Sequence, residues 1–268
     1  MSAPVVDLAA VSLRYGAREL WSDMTLQVGT GEMLAVLGPN GTGKTSLLRM
    51  LLGLLAPTSG TIRVLGGEPD RARSRIGYVP QLRGFDRDLA VRGRDLVGLG
   101  LHGHRFGTGL HPRRTAEIVD RALAQVGAAE YAERAVGRLS GGEQQRLRIA
   151  QALVADPALV LADEPLLALD LASQRTVVGL LDAHRRQTGT AVVFVTHDVN
   201  PVLGVADRVL YLAPGRWAAG NPADVLTGET LSRLYGTPVD VLSLGERLVV
   251  VGTPEDGGTH HHDHGEGG

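Results

Sequence analysis

The sequence lacks several features, and each absence excludes a class of protein. Its 268 residues include no cysteine, which excludes disulfide bonds and thiolate metal sites. The formal net charge of −2 gives no indication of electrostatic binding to nucleic acid. The longest leucine-rich run, residues 47–56, is interrupted by Arg49 and is too short to span a bilayer. The first residues also lack the basic-then-apolar pattern of a signal peptide, so a membrane role would require a partner.

Lysine is nearly absent as well, and the position of the one lysine is informative. Lys44 is the only lysine among 27 basic residues, all the others being arginine. It lies in the stretch Gly38–Thr45, which follows the apolar run Met33–Leu37 and precedes a leucine-rich helical pattern. Strand, glycine loop and helix form the context that the phosphate-binding motif G-x-x-x-x-G-K-[ST] requires. A glycine turn with a stray lysine is the alternative, and this context disfavours it.

Each residue type in this loop suits a phosphate ligand. Glycines let the backbone bend so that successive N–H groups point toward an anion, and the following helix adds the positive end of its dipole. Lys44 supplies a compact, flexible point charge that the planar group of an arginine would not replace. It would reach the β- and γ-phosphates of a nucleotide, while the Thr45 hydroxyl would hold Mg²⁺. The loop therefore predicts a site for a nucleoside triphosphate.

Apolar runs and helical patterns predict the remaining elements. Strands are expected at residues 5–13, 24–28, 61–65, 75–81, 159–162, 191–195, 208–212 and 216–219, and a hairpin at 242–248. Helices are expected at 115–126, from Ser140 through residue 154, and at 174–184, whereas residues 82–112 follow no clear pattern. Ser140 and Glu143 have the spacing of a capping box at the start of the second of these helices.

Two further motifs follow the glycine loop along the chain. The stretch Leu139–Gln144 (LSGGEQ) opens a helix and offers glycine amides to a phosphate. Asp163 and Glu164 end a buried strand, where the first could support Mg²⁺ and the second could orient or deprotonate an attacking water. A capped helix without a ligand and a pair of solvated acids are the alternatives. In this order the motifs resemble those of the ATPase subunit of an ABC transporter, over about residues 4–235.

The resemblance implies roles for individual residues. The expected catalytic residues are Glu164, His197, Gln81 and Lys44, and Mg²⁺ is expected on Thr45, Gln81 and Asp163. Gln81 would sense Mg²⁺ and the γ-phosphate, and His197 would contact that phosphate. Tyr15 would stack on adenine, and Asp170 lies in a loop that would cross the dimer interface. In the family, the phosphate that faces Ser140, Gly141 and Gly142 belongs to ATP held by the opposite subunit, so that a dimer encloses two nucleotides. The residues expected to bind ATP are Tyr15, Gly38, Asn40, Gly41, Gly43, Lys44, Thr45, Ser46, Ser140, Gly141, Gly142, Asp163 and Asp170.

The chain departs from the family's pattern at one place. Leu166 and Leu167 follow Asp163-Glu164-Pro165, where the family commonly has threonine or serine. This difference puts communication between subunits in doubt more than hydrolysis, because the position lies beside the dimer contact.

The resemblance also implies a fold, an assembly and a location. It predicts an α/β fold: a P-loop (RecA-like) core with a mixed sheet, an N-terminal antiparallel β subdomain, and an α-helical subdomain inserted at about residues 90–156. The ATPase domain would span residues 1–235, followed by a small β extension at 236–253 and a disordered tail at 254–268. The expected partners are a second copy of the chain, integral membrane permease subunits and, for an importer, an extracytoplasmic substrate-binding protein. Nucleic acid is not expected, and the expected location is the cytoplasmic face of the membrane.

Three functions compete within this family. An energising subunit of a transporter is favoured over a soluble ATPase of iron–sulfur cluster assembly, and over a nucleotide-binding scaffold without activity. Residues 92–100 and 234–239 are similar to segments of zinc and manganese uptake systems. ATPases of iron-siderophore, haem and cobalamin importers are the runner-up. The cargo can be inferred only by kinship, because the ATPase of such a system does not contact it.

The tail contains a histidine cluster. Four of the nine histidines, His260, His261, His262 and His264, lie within eight residues near its end. Imidazole nitrogens suit Zn²⁺, and the glycines around them leave the chain free to surround a metal. An affinity tag and incidental metal binding by a disordered tail are the alternatives to a zinc sensor.

Overall fold

The computed structural model describes residues 3–81, 84–102, 112–245 and 247–251. The strands are β1 (Val6–Tyr15), β2 (Arg18–Val28), β3 (Met33–Leu37), β4 (Ser59–Val64), β5 (Ile76–Val79), β6 (Leu159–Asp163), β7 (Ala191–Val195), β8 (Arg208–Ala213), β9 (Arg216–Gly220), β10 (Asp240–Leu244) and β11 (Arg247–Val251). The helices are α1 (Lys44–Leu51), α2 (Pro69–Ala72), α3 (Gly93–His102), α4 (Pro112–Gln125), α5 (Gly141–Leu153), α6 (Leu171–Thr188), α7 (Pro222–Val225) and α8 (Gly228–Tyr235).

A six-stranded mixed sheet forms the centre of the fold. Its order is β5-β6-β7-β3-β8-β9, with five neighbouring strands parallel and β9 antiparallel to β8. Every residue of β3, β6 and β7 is buried, as expected for parallel strands covered on both faces. The α/β fold with a mixed sheet is therefore confirmed.

A smaller antiparallel sheet packs against one face of the glycine-loop helix. Its strand order is β2-β1-β4. Its apolar side chains, such as Trp21 on β2, share one core with those of α1, such as Met50. This sheet confirms the predicted N-terminal antiparallel unit. The strand β2 begins at Arg18, six residues earlier than the pattern indicated, because β1 and β2 pair up to the tight turn between Tyr15 and Arg18.

Three helices, α3, α4 and α5, lie between β5 and β6 along the chain and share one apolar core. The first of them was not expected, because three glycines in α3 obscure its periodicity. Two of these glycines have a packing reason. A Cβ on Gly93 would lie 3.2 Å from the carbonyl oxygen of Ala132, and one on Gly100 would lie 2.2 Å from that of Gln151 on α5. Glycine therefore lets α3 lie directly against the backbone of α5.

The chain continues after the main sheet with α7, α8 and a hairpin formed by β10 and β11. This hairpin agrees with the one predicted at residues 242–248. Among the residues that the structure describes, no helix is both long enough and apolar enough to cross a membrane.

Candidate functional site

The glycine loop joins β3 to α1, and two of its glycines are required by their surroundings. Gly38 has φ 137°, and a Cβ there would lie 2.1 Å from the carbonyl oxygen of Leu212 on β8. Gly43 has φ 96°, and its Cβ would lie 2.8 Å from Nε1 of the buried Trp21. Any other residue at either position would clash and would also adopt a disfavoured backbone conformation. The loop is thus held in one shape by the two sheets on either side of it.

Lys44 lies at the start of α1 with its charge inside the loop. Its Nζ donates hydrogen bonds to the carbonyl oxygens of Gly38 at 2.7 Å and Pro39 at 3.0 Å. The same nitrogen lies 4.0 Å from Oε1 of Glu164, and only 7% of the side chain is exposed. Burial lowers the pKa of Lys44, and the carboxylates of Glu164 and Asp163 act in the opposite direction. An anion bound in the loop would favour the charged form of this amine.

Asp163 ends β6 and faces the first turn of α1. The Thr45 hydroxyl donates to Asp163 Oδ1 across 3.4 Å. Burial raises the pKa of Asp163, and the hydrogen bond from Thr45 is the largest effect lowering it. The hydroxyl and the carboxylate together offer oxygen ligands, the type that Mg²⁺ takes in proteins. These two residues therefore fit the magnesium site that was expected from the sequence.

Glu164 follows with an unusual backbone conformation. Its φ is 45°, which is uncommon for a residue other than glycine and is a strain often found at functional sites. Its N–H donates to the carbonyl oxygen of Val195, which aligns it with the end of the neighbouring strand β7. Its Oε2 lies 2.8 Å from Nδ1 of His197. This distance is that of a hydrogen bond between the ring nitrogen and the carboxylate oxygen.

An open cleft of about 390 Å³ lies over these groups. Most residues of the predicted set line this cleft, and so do two that were not predicted, Arg18 and Leu20. The complete lining is Tyr15, Arg18, Leu20, Asn40, Gly41, Gly43, Lys44, Thr45, Ser46, Gln81 and Glu164.

The edge of this cleft is formed by the hairpin between β1 and β2. Tyr15 is 48% exposed, so its ring is available for stacking, and its hydroxyl lies 3.4 Å from Ser46 Oγ. Arg18 is the pairing partner of Tyr15 in the hairpin, and its Nη2 donates to the Gly41 carbonyl at 3.2 Å. Arg18 belongs to no recognised motif. Its place in the cleft could have been predicted only from its position three residues after Tyr15, across the turn at Gly16.

Gly38, Asp163 and His197 contact residues of the cleft, whereas the predicted residues at the start of α5 and before α6 form a second group. Ser140 caps α5 by accepting from the Glu143 N–H, and the Glu143 carboxylate accepts from the Ser140 N–H at 2.8 Å. The predicted capping box is therefore confirmed. Asp170 caps α6 by accepting from the N–H and the hydroxyl of Ser173. A Cβ on Gly142 would lie 2.8 Å from that hydroxyl, so the two helix starts are in close contact.

None of Ser140, Gly141, Gly142 or Asp170 is among the described residues that line the cleft. The structure thus divides the predicted site into two parts. One is the cleft around Lys44, and the other is the pair of helix starts on α5 and α6.

Leu166 and the histidine-rich tail are the two remaining features that the sequence singled out. Leu166, which departs from the family's pattern, is buried in the main core, so a hydroxyl at this position would lose contact with water. The tail histidines His260, His261, His262 and His264 lie outside the described residues. Within the part of the chain that the structure describes, no three histidine, aspartate or glutamate side chains are grouped so as to hold a metal ion.

Chemically, the cleft combines the groups that phosphoryl transfer to water requires. A backbone loop with a buried cation suits a polyphosphate, an oxygen pair suits Mg²⁺, and a carboxylate held by a histidine can orient a water molecule. Positioning and charge neutralisation supply most of the catalysis in such a reaction.

Comparison with known proteins agrees with this chemistry. The profile of the family described as ABC transporter matches residues 21–167. The manganese transport system ATP-binding protein MntB of Bacillus subtilis (strain 168) is 36% identical over 232 residues, covering 86% of this chain and 92% of the relative. The zinc import ATP-binding protein ZnuC of Roseobacter denitrificans is 35% identical over 234 residues, covering 87% and 85%. An inward-facing ABC transporter assigned to the metal-chelate type superposes with a TM-score of 0.78 at 30% identity, covering 92% of this chain and 96% of that one.

The fit of the loop can be tested at Gly38. In a Gly38→Ala variant the new Cβ would press against the Leu212 carbonyl, so the loop must shift or the sheet must open. We expect the free energy of unfolding to fall by roughly 3 kcal/mol and nucleotide affinity to fall by about tenfold or more. Thermal denaturation and nucleotide titration measure the two effects.

Gly179→Ala is the matched control for this variant. A Cβ on Gly179 would meet no atom within 4 Å, and alanine is favoured over glycine within a helix. It should leave both stability and affinity unchanged or slightly raise stability. Wild-type nucleotide affinity in Gly38→Ala would show that the loop shape is not required for binding.

Proposed function

The chain belongs to the ABC transporter family of ATP-binding proteins, and from this premise we propose that it energises the import of a divalent metal ion, zinc or manganese. As a member of this family it binds ATP and hydrolyses it to ADP and phosphate for a membrane transport system. The observation that carries the chemistry is that Lys44, Thr45 and Glu164 line one cleft, with Asp163 in contact with Thr45 and His197 in contact with Glu164. The relatives named for manganese and zinc support the cargo and do not favour the iron-chelate or iron–sulfur alternatives.

Binding of ATP is assigned to the loop and to the hairpin beside it. Tyr15 would stack on the adenine ring, a contact that gives affinity with little base specificity. The N–H groups of the loop, from Gly38 through Asn40, Gly41 and Gly43 to Ser46, would surround the phosphates. Lys44 would exchange its bonds to the Gly38 and Pro39 carbonyls for phosphate oxygens, which bind an ammonium more strongly.

Hydrolysis is assigned to the groups at the strand ends. Thr45, Asp163 and Gln81 would hold Mg²⁺, which neutralises phosphate charge when bound. Glu164 would orient and deprotonate the attacking water, and its contact with Lys44 and His197 holds its carboxylate in place. His197 would contact the γ-phosphate from the loop after β7. The 2.8 Å contact between His197 Nδ1 and Glu164 supports a joint role for this pair.

The second group of residues supports a dimer. Ser140, Gly141 and Gly142 present a capped helix start, and Asp170 lies beside them, yet none of them lines the cleft of its own chain. A helix start with glycine amides suits a phosphate. We therefore assign it to the ATP of a second copy, so that two nucleotides are enclosed between two chains.

Assembly and location follow from the same proposal. The chain would act on integral membrane permease subunits at the cytoplasmic face of the membrane, with an extracytoplasmic substrate-binding protein delivering the metal. Within the chain, residues 1–235 would form the ATPase domain, with the helical subdomain inserted at about 90–156. Residues 236–253 would form the β extension and residues 254–268 the tail.

Replacing Glu164 by glutamine tests the catalytic assignment. The variant keeps Lys44, Thr45 and Asp163, so ATP binding should survive while the water loses its base. We expect turnover to fall by about a hundredfold or more and ATP to trap a dimer. Steady-state ATPase assays and gel filtration with ATP provide the two measurements.

Glu117→Gln is the control, because Glu117 is an exposed carboxylate on α4 remote from the cleft. It should behave as wild type in both assays. Normal turnover in Glu164→Gln would remove the role of Glu164, and a protein that stays monomeric with ATP would contradict the dimer.

The cargo is tested with the complete transporter. We expect the chain, purified with its membrane partners and placed in vesicles, to drive ATP-dependent uptake of zinc or manganese, and the Glu164→Gln complex to drive none. Uptake of both ions, of a ferric chelate and of cobalamin should be compared in the same preparation. Transport of a chelate without either free ion would contradict metal import while leaving the ATPase assignment intact.

The tail adds a regulatory proposal. His260, His261, His262 and His264 would bind zinc and tune transport to its concentration. Zinc binding should weaken as the pH falls through about 6.5, because protonated imidazole cannot ligate. Truncation after Thr259 should preserve basal ATPase activity and abolish its response to zinc, as should replacing the four histidines by glutamine. Identical zinc responses in the full and truncated chains would contradict the sensor.

A further inference from the structure

The hairpin of β10 and β11 is attached to the rest of the chain by few contacts. Most of its side chains are exposed, including Leu242 at 52% and Leu244 at 66%. Val241, Leu248 and Val250 are only partly buried against the main core. An isolated two-stranded hairpin is at best marginally stable in water. The polar contacts of this hairpin with the body of the chain therefore matter for its position.

Asn200 supplies the main polar contact. Its Nδ2 donates to the carbonyl oxygen of Leu248 at 3.1 Å, and the N–H of Leu248 donates to its Oδ1 at 2.8 Å. The side-chain amide thus pairs with both main-chain groups of one residue of β11, as the backbone of a neighbouring strand would do. This double contact also determines the orientation of the amide group, with Nδ2 toward the carbonyl oxygen and Oδ1 toward the N–H.

Hydrogen bonds continue from Asn200 to the loop that carries His197. The N–H and the Nδ2 of Asn200 both donate to Asp198 Oδ1 at 2.9 Å. The Asp198 N–H donates to Thr196 Oγ1, whose hydroxyl donates back to the Asp198 carbonyl oxygen at 3.0 Å. Thr196 is buried, and its N–H donates to the carbonyl oxygen of Val36 on β3. His197 therefore lies between a residue fixed by the central sheet and a residue fixed through the hairpin.

The outer side of this loop borders open space, while the buried Val199 and Val202 anchor the residues around Asn200 in the main core. An open cavity of about 640 Å³ lies there, between Asp198 and Asn200, the first turns of α6, and Arg247 of the hairpin. The His197 side chain is 57% exposed, and among the described residues its one hydrogen bond is to Glu164. The placement of the ring thus depends on the backbone of its loop.

We propose that Asn200 is a positioning residue: by binding β11 it lets the C-terminal hairpin set the orientation of His197 toward Glu164. The proposal rests on the role given above to the pair of His197 and Glu164. Movement of the hairpin would then change the rate of hydrolysis without changing the affinity for ATP. Since β11 leads directly into the histidine-rich tail, a signal received there has a physical route to the catalytic pair.

Asn200→Leu tests the proposal, because leucine keeps the branched shape of the side chain and removes the hydrogen bonds that the side-chain amide makes. In the full-length chain we expect kcat to fall roughly tenfold, with KM, the Kd for ATP and the Tm close to wild type. Leu242→Ala, an exposed change on the same hairpin, is the control and should leave all four quantities unchanged. Where His197→Ala is inactive, a wild-type kcat in Asn200→Leu would overturn the proposal.

The ring of His197 gives a second readout that a merely structural role would not move. Its ¹⁵N signals, assigned by subtraction with His197→Gln, report the hydrogen bond at Nδ1. These signals should shift in folded Asn200→Leu and stay unchanged in Leu242→Ala. If kcat falls while the ring signals of the folded protein stay unchanged, the lower rate does not come from a change in the position of His197. The inference is then wrong, whatever the stability of the variant.

His197→Ala separates this inference from the proposed function. If His197→Ala retains full turnover, the catalytic role of the histidine fails, and the ring signals alone decide whether Asn200 orients it. If His197→Ala is inactive and Asn200→Leu is fully active, only the inference about the hairpin fails.

Discussion

The absence of space beside Gly38 constrains the rest of the nucleotide site. The strand β3 lies between β7 and β8, and the Leu212 carbonyl occupies the position where a side chain at Gly38 would extend. The backbone must turn at Gly38, and this turn places Lys44 at the end of the sheet. Because Asp163 pairs with Val195 and Val195 pairs with Val36, the carboxylates end their strand in line with β3. Sheet register thus sets the distance between the cation and the acids.

Sequence reasoning found the parts of the site that lie at ends of buried strands or at starts of helices. Uninterrupted apolar runs mark β3, β6 and β7 clearly, so the polar residues that follow them, such as Asp163, Glu164 and His197, are easily singled out. The capping box at Ser140 was equally visible because its two members are three residues apart. These signals are local, and the fold class followed from their order along the chain.

The features that sequence reasoning missed depend on contacts between distant segments. The glycines that concealed α3 are explained only by the backbone of α5, which they approach. Arg18 belongs to the cleft because a hairpin turns it toward Gly41. Likewise, Asn200 and Leu248 are 48 positions apart, and no pattern in the intervening sequence connects them. The resemblance placed the helix starts at Ser140 and Asp170 toward a second subunit, but their contact with each other depends on the folded chain.

The solitary lysine has a consequence for chemical damage. Acylating reagents and aldehydes react with the amines of lysine side chains, and Lys44 carries the one such amine of this chain. This chain presents arginines on its surface and keeps its one side-chain amine 7% exposed inside the phosphate loop. Modification of that amine would inactivate the molecule in a single step, because the proposed role of Lys44 is to bind the phosphates. With respect to lysine modification, a population of these molecules would therefore consist of intact and inactive copies, because no second side chain carries such an amine.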